Sequence, residues 1–130
     1  LKHLCTELYM LCDVTRPLTQ FGELIFVGSG SGETKSLVAA AQKAKACNMK
    51  VALNTIDMAS TLAKLADTLL VLPGASQKVE QQSKRIQSIQ PMGSSFEQLS
   101  LLVYDAVIMK LMETLEQSND EMFSRHANIE

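Results

Sequence analysis

Three hydroxyl side chains set among three glycines, in Gly28-Ser29-Gly30-Ser31-Gly32-Glu33-Thr34, are the residues of this chain best suited to holding an anion. Glycines let a backbone wrap closely round a ligand, and Ser29, Ser31 and Thr34 can add O–H donors. The loop follows the apolar run Leu24-Ile25-Phe26-Val27 and precedes an Ala-rich stretch from Lys35 to Cys47. That order predicts a strand, a loop and a helix, with the loop at the helix N-terminus. There, unpaired amides and the positive end of the dipole favour an anion. Two nucleotide-binding loops are excluded. Glu33 stands where the third glycine of a Rossmann fingerprint belongs, and Asn54, not an acidic residue, ends the next strand. Glu33 also occupies the place of a P-loop lysine, and its charge opposes a triphosphate. The structural alternative is a glycine-rich turn in which Ser31 caps the helix.

Two further residues have the chemistry to move protons. Glu97 follows Gln90-Pro91-Met92-Gly93-Ser94-Ser95-Phe96 at the start of a long helical pattern. Flanking Phe96 and Leu99 would desolvate its carboxylate and make it a stronger base. Ser94-x-x-Glu97 also reads as a capping box, which alone accounts for both residues. His126, in Ser124-Arg125-His126-Ala127-Asn128, is of the type that titrates near neutrality, although a tail histidine is more simply solvated. His3 has the same two readings. Lys78, Lys84 and Arg85 could help hold a phosphate or could be wet surface. Glu113 and Glu116 read as a solvated helix end.

The elements that must position these groups follow from periodicity. Leu1, Leu4, Cys5, Leu8 and Leu11 recur at helical spacing, so a helix is expected to be already under way where the chain starts, with a piece upstream of it. Pro17 ends that helix and Gly22-Glu23 turns. Leu24 to Val27 reads as a strand buried on both faces. Leu37, Val38, Ala41 and Ala44 line one face of the next helix. The alternation repeats as strand Val51-Ala52-Leu53, helix Thr61 to Leu65 with Ser60 as N-cap, and strand Thr68 to Leu72, stopped by Pro73-Gly74. Such alternation predicts a parallel sheet with covering helices. Ala75 to Gln90 reads as a long loop. A helix from Ser95 to about Leu115 is apolar on most sides, which demands cover from its own sheet and from a second subunit. Residues from Gln117 to Glu130 read as a polar tail.

In 130 residues there is room for one domain, and 46% apolar with 20% charged residues is an ordinary globular composition. A net charge of −2 offers no broad attraction to nucleic acid or to anionic membrane. The longest apolar stretch, Leu99 to Met112, falls short of the ~20 residues a membrane span requires. Cys5, Cys12 and Cys47 are odd in number and lack metal spacing, so reduced, buried thiols, no metal and a cytoplasmic location are expected.

Residues Val27 to Leu37 resemble the signature loop of sugar isomerase (SIS) domains. Ser88 to Gln98, Tyr104 to Ile108 and His126 to Glu130 are similar, more narrowly, to the 6-phospho-3-hexuloisomerase family. The resemblance implies a three-layer αβα sandwich on a parallel, flavodoxin-like sheet, without the first helix and strand that family members carry. It implies a cofactor-independent isomerase that interconverts 3-hexulose 6-phosphate and fructose 6-phosphate in the ribulose monophosphate route of formaldehyde fixation. By the same resemblance, Ser29, Ser31, Gly32 and Thr34 hold the phosphate and Glu97 is the base. His126 reaches an active site, a neighbour's in a homodimer or homotetramer. Another aldose–ketose phosphate isomerase, such as an arabinose 5-phosphate isomerase, would use the same loop and base, and a phosphosugar-sensing module would use the loop alone. Cys12-Asp13 and Thr15-Arg16-Pro17 depart from the family's Gly-Glu and Thr-Pro, and Arg16 is expected to bear on sugar specificity.

Overall fold

The computed structural model describes residues 4, 7–15, 17–74 and 89–126. They form two compact bodies, one spanning Thr19–Leu101 and the other joining Leu1–Leu18 to Leu102–Glu130.

The first body contains β1 (Leu24–Gly28), α1 (Lys35–Ala46), β2 (Lys50–Thr55), α2 (Thr61–Leu65) and β3 (Thr68–Val71). The strands are all parallel, in the order β1-β2-β3, with Val27 opposite Leu53 and Asn54 opposite Leu70. Because side chains alternate across a strand, this register puts Ile25, Val27, Val51 and Leu53 on one face. They pack there with Ala41 and Ala44 of α1 and Leu62 of α2. Small residues at 41 and 44 let α1 lie close to the sheet. The helix stops in a Schellman motif, with Asn48 left-handed at φ 58°, the Asn48 N–H on the Lys45 carbonyl and the Met49 N–H on the Ala44 carbonyl, each 3.0 Å. Lys43 and Lys45 meet the negative end of its dipole. At α2, Ser60 accepts the Ala63 N–H at 3.3 Å, the N-cap expected from the sequence.

β2 is the central strand, and Val51 to Thr55 are buried. β1 departs from the expectation of a strand covered on both faces: Leu24 is 61% and Phe26 51% exposed. The reason is its place at the edge of the sheet, with helices packed on only one of its faces among the described residues. On that opposite face, cover comes at the carboxyl end of β2, from the first turns of α3 (Ser94–Thr114). Asn54 Nδ2 donates to Ser100 Oγ at 2.8 Å, and Ser100 Oγ donates to the Phe96 carbonyl at 2.7 Å.

The second body holds the rest of α3 and α4 (Asn119–Ser124). Here the expectation of an opening helix fails. Residues 7–15 are turns and extended chain, not helix, and Leu8 and Leu11 are exposed. Asp13 Oδ1 takes the Thr15 N–H at 2.9 Å and its hydroxyl at 2.7 Å, the local side-chain bonding that competes with helix. The remainder of that expected helix, Leu1 and Cys5 included, lies outside the described residues, as does Ala75 to Ser88 with Lys78, Lys84 and Arg85. Within the polar tail, α4 is fixed at its amino end. Ser118 and Glu121 close a reciprocal capping box on α4, the Ser118 N–H lying 2.7 Å from Glu121 Oε2 and the Glu121 N–H 3.2 Å from Ser118 Oγ. Cys12 is exposed, against the expectation of a buried thiol, and Cys47 is half-buried; both are free thiols. No helix among the described residues is long and apolar enough to cross a membrane.

Candidate functional site

The glycine loop joins the carboxyl end of β1 to the amino end of α1, and its backbone is tied down on two sides. Toward β2, the Ser29 N–H donates to the Asn54 carbonyl at 2.9 Å. The Gly30 carbonyl accepts the Ile56 N–H and the Thr55 hydroxyl, each at 3.1 Å. Toward α2, the Gly32 carbonyl accepts the Leu62 N–H at 3.1 Å, and Glu33 Oε1 accepts the Thr61 N–H at 2.6 Å. Gly32 sits at φ 65°, and a Cβ there would lie 2.0 Å from Ser60 Oγ, so only glycine fits.

Within the loop, Ser29 and Ser31 are buried, and their hydroxyls accept backbone N–H groups: Gly32 to Ser29 Oγ at 3.2 Å and Glu33 to Ser31 Oγ at 3.3 Å. Each hydroxyl used as an acceptor still has its own proton to give. Ser29 Oγ lies 3.4 Å from Thr34 Oγ1. The Gly32 N–H is taken up by Ser29, so Gly32 brings the turn rather than a donor. Thr34 is the N-cap residue of α1 but makes no side-chain capping bond. The amides of the first turn, Lys35, Ser36 and Leu37, are therefore left without a bond from the N-cap side chain at the positive end of a twelve-residue helix. This arrangement suits a phosphate.

Glu33 is a residue whose part the sequence did not disclose. Its charge is directed at α2, where the Thr61 N–H and hydroxyl, with help from Lys64, hold its carboxyl below the usual carboxylate range. Asn54 is another. It looked like a mere absence of the acidic residue a dinucleotide site needs, yet it is fully buried and bonds to both the loop and α3. The signal was present as a polar side chain directly after the apolar run Val51-Ala52-Leu53, within the same strand.

α3 brings Glu97 to this end of the sheet. The Phe96 ring fills the space over Gly30, where an added Cβ would stand 3.3 Å from Phe96 Cδ1 and 3.4 Å from Ile56 Cδ1. A larger residue at 30 would push the helix away from the loop. Glu97 is the next residue and is exposed, although Phe96 is buried and Leu99 half-buried, so the expected burial of its carboxylate between them is not present. The expected capping box is absent too. Ser94 Oγ donates to the Pro91 carbonyl at 2.8 Å, and the Glu97 N–H goes to the Gly93 carbonyl at 3.0 Å. Glu97 is thus not engaged in capping its own helix.

His126 belongs to the second body. Its ring stacks on Phe123, with centroids 6.1 Å apart and planes 19° apart. Together with Asn119, Asp120, Met122 and Phe123 it lines an open concavity of about 410 Å³.

The family model for the SIS domain matches residues 13–102, the stretch that contains the loop, the whole sheet and the start of α3. The chain belongs to the SIS domain family. Among SIS relatives, the 3-hexulose-6-phosphate isomerase of Bacillus subtilis (strain 168) is 43% identical over 130 residues, all of this chain and 69% of that protein. The enzyme of the same name from Mycobacterium gastri is 37% identical over all of this chain and 64% of its own length. A hypothetical protein from Methanococcus jannaschii, whose crystal structure was taken to infer a 3-hexulose-6-phosphate isomerase function, superposes with a TM-score of 0.82 at 27% identity. That match covers 99% of this chain and 67% of the other. The chain thus spans about two thirds of the length of these relatives.

Proposed function

We propose that this SIS domain is the greater part of a sugar-phosphate isomerase that interconverts 3-hexulose 6-phosphate and fructose 6-phosphate. The observation that carries the reading is the uncapped amino end of α1, with the Ser31 and Thr34 hydroxyls beside it and the first turn of α3 packed against Gly30. The names of the Bacillus subtilis and Mycobacterium gastri relatives support the choice of substrate. In the reaction, a carboxylate takes the proton from C2 of the 3-ketose and returns it to C3 of the enediolate, while the hydroxyl proton on O2 passes to O3. Ser29, Ser31 and Thr34 hold the phosphate and Glu97 is the base; no metal or organic cofactor takes part. The domain works in the cytoplasm, in formaldehyde fixation by the ribulose monophosphate route, and His126 serves a neighbouring protomer's site.

The test of the base is Glu97→Gln. Because Glu97 makes no capping bond with Ser94, thermal unfolding should be unchanged, while turnover of 3-hexulose 6-phosphate should fall by ~10²–10⁴-fold, the usual cost of losing a general base. Turnover within a few-fold of the parent would remove Glu97 from the mechanism. The oligomer has its own support: Leu102 is 65% and Met109 70% exposed on α3, apolar surface that a second copy would cover. Sedimentation as a monomer at micromolar concentration would refute it.

A further inference from the structure

We infer that Glu33 is a positioning residue for substrate phosphate, latching the glycine loop onto the amino end of α2 so that the Ser31 and Thr34 donors stay beside the uncapped end of α1. The inference rests on the phosphosugar reading of the loop and adds to it a residue that never touches the ligand.

Two helix amino ends meet this loop, and they are treated differently. At α2 the first three amides are all occupied: Thr61 by Glu33 Oε1 at 2.6 Å, Leu62 by the Gly32 carbonyl at 3.1 Å and Ala63 by Ser60 Oγ at 3.3 Å. Two of these three acceptors come from the loop. At α1 the N-cap side chain makes no capping bond and lies instead 3.4 Å from Ser29 Oγ. Anion-binding capacity is therefore saturated at one helix and left open at the other, and a phosphate has one place to go. Glu33 is exposed and Gly32 is closely packed on Ser60, so the carboxylate is the outer clasp of a contact whose inner half is backbone. Ser31 accepts from the Glu33 N–H at 3.3 Å, so any displacement of residue 33 moves the Ser31 hydroxyl with it.

The latch and the bare charge make opposite predictions. A carboxylate near a phosphate site, acting only through its charge, weakens anion binding, and removing it should tighten fructose 6-phosphate. Acting as a latch, it is needed, and removing it should loosen fructose 6-phosphate. Gln keeps an acceptor oxygen at the same reach, whereas Ala does not. A second substitution removes the donor instead. Thr61 is the first helical residue of α2, a position that favours proline, and Ser60 before it is extended at φ −64° and ψ 164°, as a pre-proline residue must be. Thr61→Pro therefore deletes the N–H and leaves the helix able to form.

The experiment is calorimetric titration of fructose 6-phosphate into the full chain and its three variants, with thermal unfolding to verify that each is folded. Expected are binding by the parent, Glu33→Gln within about threefold, and Glu33→Ala and Thr61→Pro each weaker by roughly ten- to a hundredfold, the range for losing one hydrogen bond to a charged group. Combining Glu33→Ala with Thr61→Pro should add little, because both cut the same bond. Unchanged or tighter binding by Glu33→Ala overturns the latch and leaves the phosphosugar reading standing. Gln falling as far as Ala overturns it as well, since an acceptor oxygen would then not be what counts. A parent that binds no fructose 6-phosphate overturns the phosphosugar reading and the latch with it.

Discussion

Asp67 stands where three elements meet, at the threshold of β3. Its carboxylate takes Lys45 Nζ from the last turn of α1 at 2.8 and 2.9 Å and the Val51 N–H of β2 at 2.8 Å, with Lys50 Nζ 3.6 Å away. The Lys45 bond first, and the Val51 bond next, lower its carboxyl from an ordinary 3.8 to about 2. A carboxyl depressed in the folded state binds protons more readily in the unfolded one. Its contribution is thus complete above the unfolded value and is lost as pH falls through the folded value. Asp67→Asn should be less stable than the parent at neutral pH, and the difference should close between about pH 4 and pH 2. Urea unfolding at several pH values checks this; a difference that persists unchanged to the lowest pH would mean that the ion pairs contribute nothing. Nothing in the local sequence Ala66-Asp67-Thr68 announces this role, because the partners lie 16 and 22 residues away. Glu33 was opaque for the same reason, its partner being 28 residues on.

Elements with caps and period in the sequence are the ones the sequence discloses. Ser60 before Thr61 to Leu65 marks α2 to the residue, and the apolar spacing of Leu37, Val38, Ala41 and Ala44 marks α1. The same rule misled at Ser94 and Glu97, where the right letters stand at the right spacing. Ser94 there lies one residue inside the helix, and the Glu97 N–H goes to the carbonyl of Gly93 instead of to its hydroxyl. At Ser118 and Glu121 the pattern does form. The two serines therefore respond differently to alanine. Ser118→Ala should cost about 1 kcal/mol of local helix stability, while Ser94→Ala, losing one exposed bond to a carbonyl, should cost no more than a few tenths. Loss of helical signal in the circular dichroism of each variant during mild heating distinguishes them; equal effects would mean that the box on α4 is inert. The opening apolar spacing at Leu4, Leu8 and Leu11 failed as a helix signal because periodicity says which face would be buried, not that a surface exists to bury it.

For the whole molecule, alternation of strand and helix disclosed the parallel sheet and put the glycine loop at its carboxyl edge, while it left open how the sheet's faces are covered. A run such as Leu24 to Val27 is written alike whether it lies at the centre or at the border, and here it lies at the border. The strand order has a consequence in time. The β2 amides turn alternately to β1 and to β3 within a buried strand, that of Val51 meeting the Asp67 carboxylate, whereas alternate amides of β1 and β3 point away from β2 toward edges that no described strand covers. In deuterium oxide the sheet should therefore be labelled from its borders inward. The outward amides of Leu24 and Gly28 in β1 and those of β3 should exchange through local fluctuation, and those of Val51 to Thr55 only when the first body opens as a unit. Amide exchange followed residue by residue measures the sequence of events directly. Protection of β1 as strong as that of β2 would reveal that its outer edge is held by another strand, and comparing dilute with concentrated samples would tell whether that strand comes from a second copy.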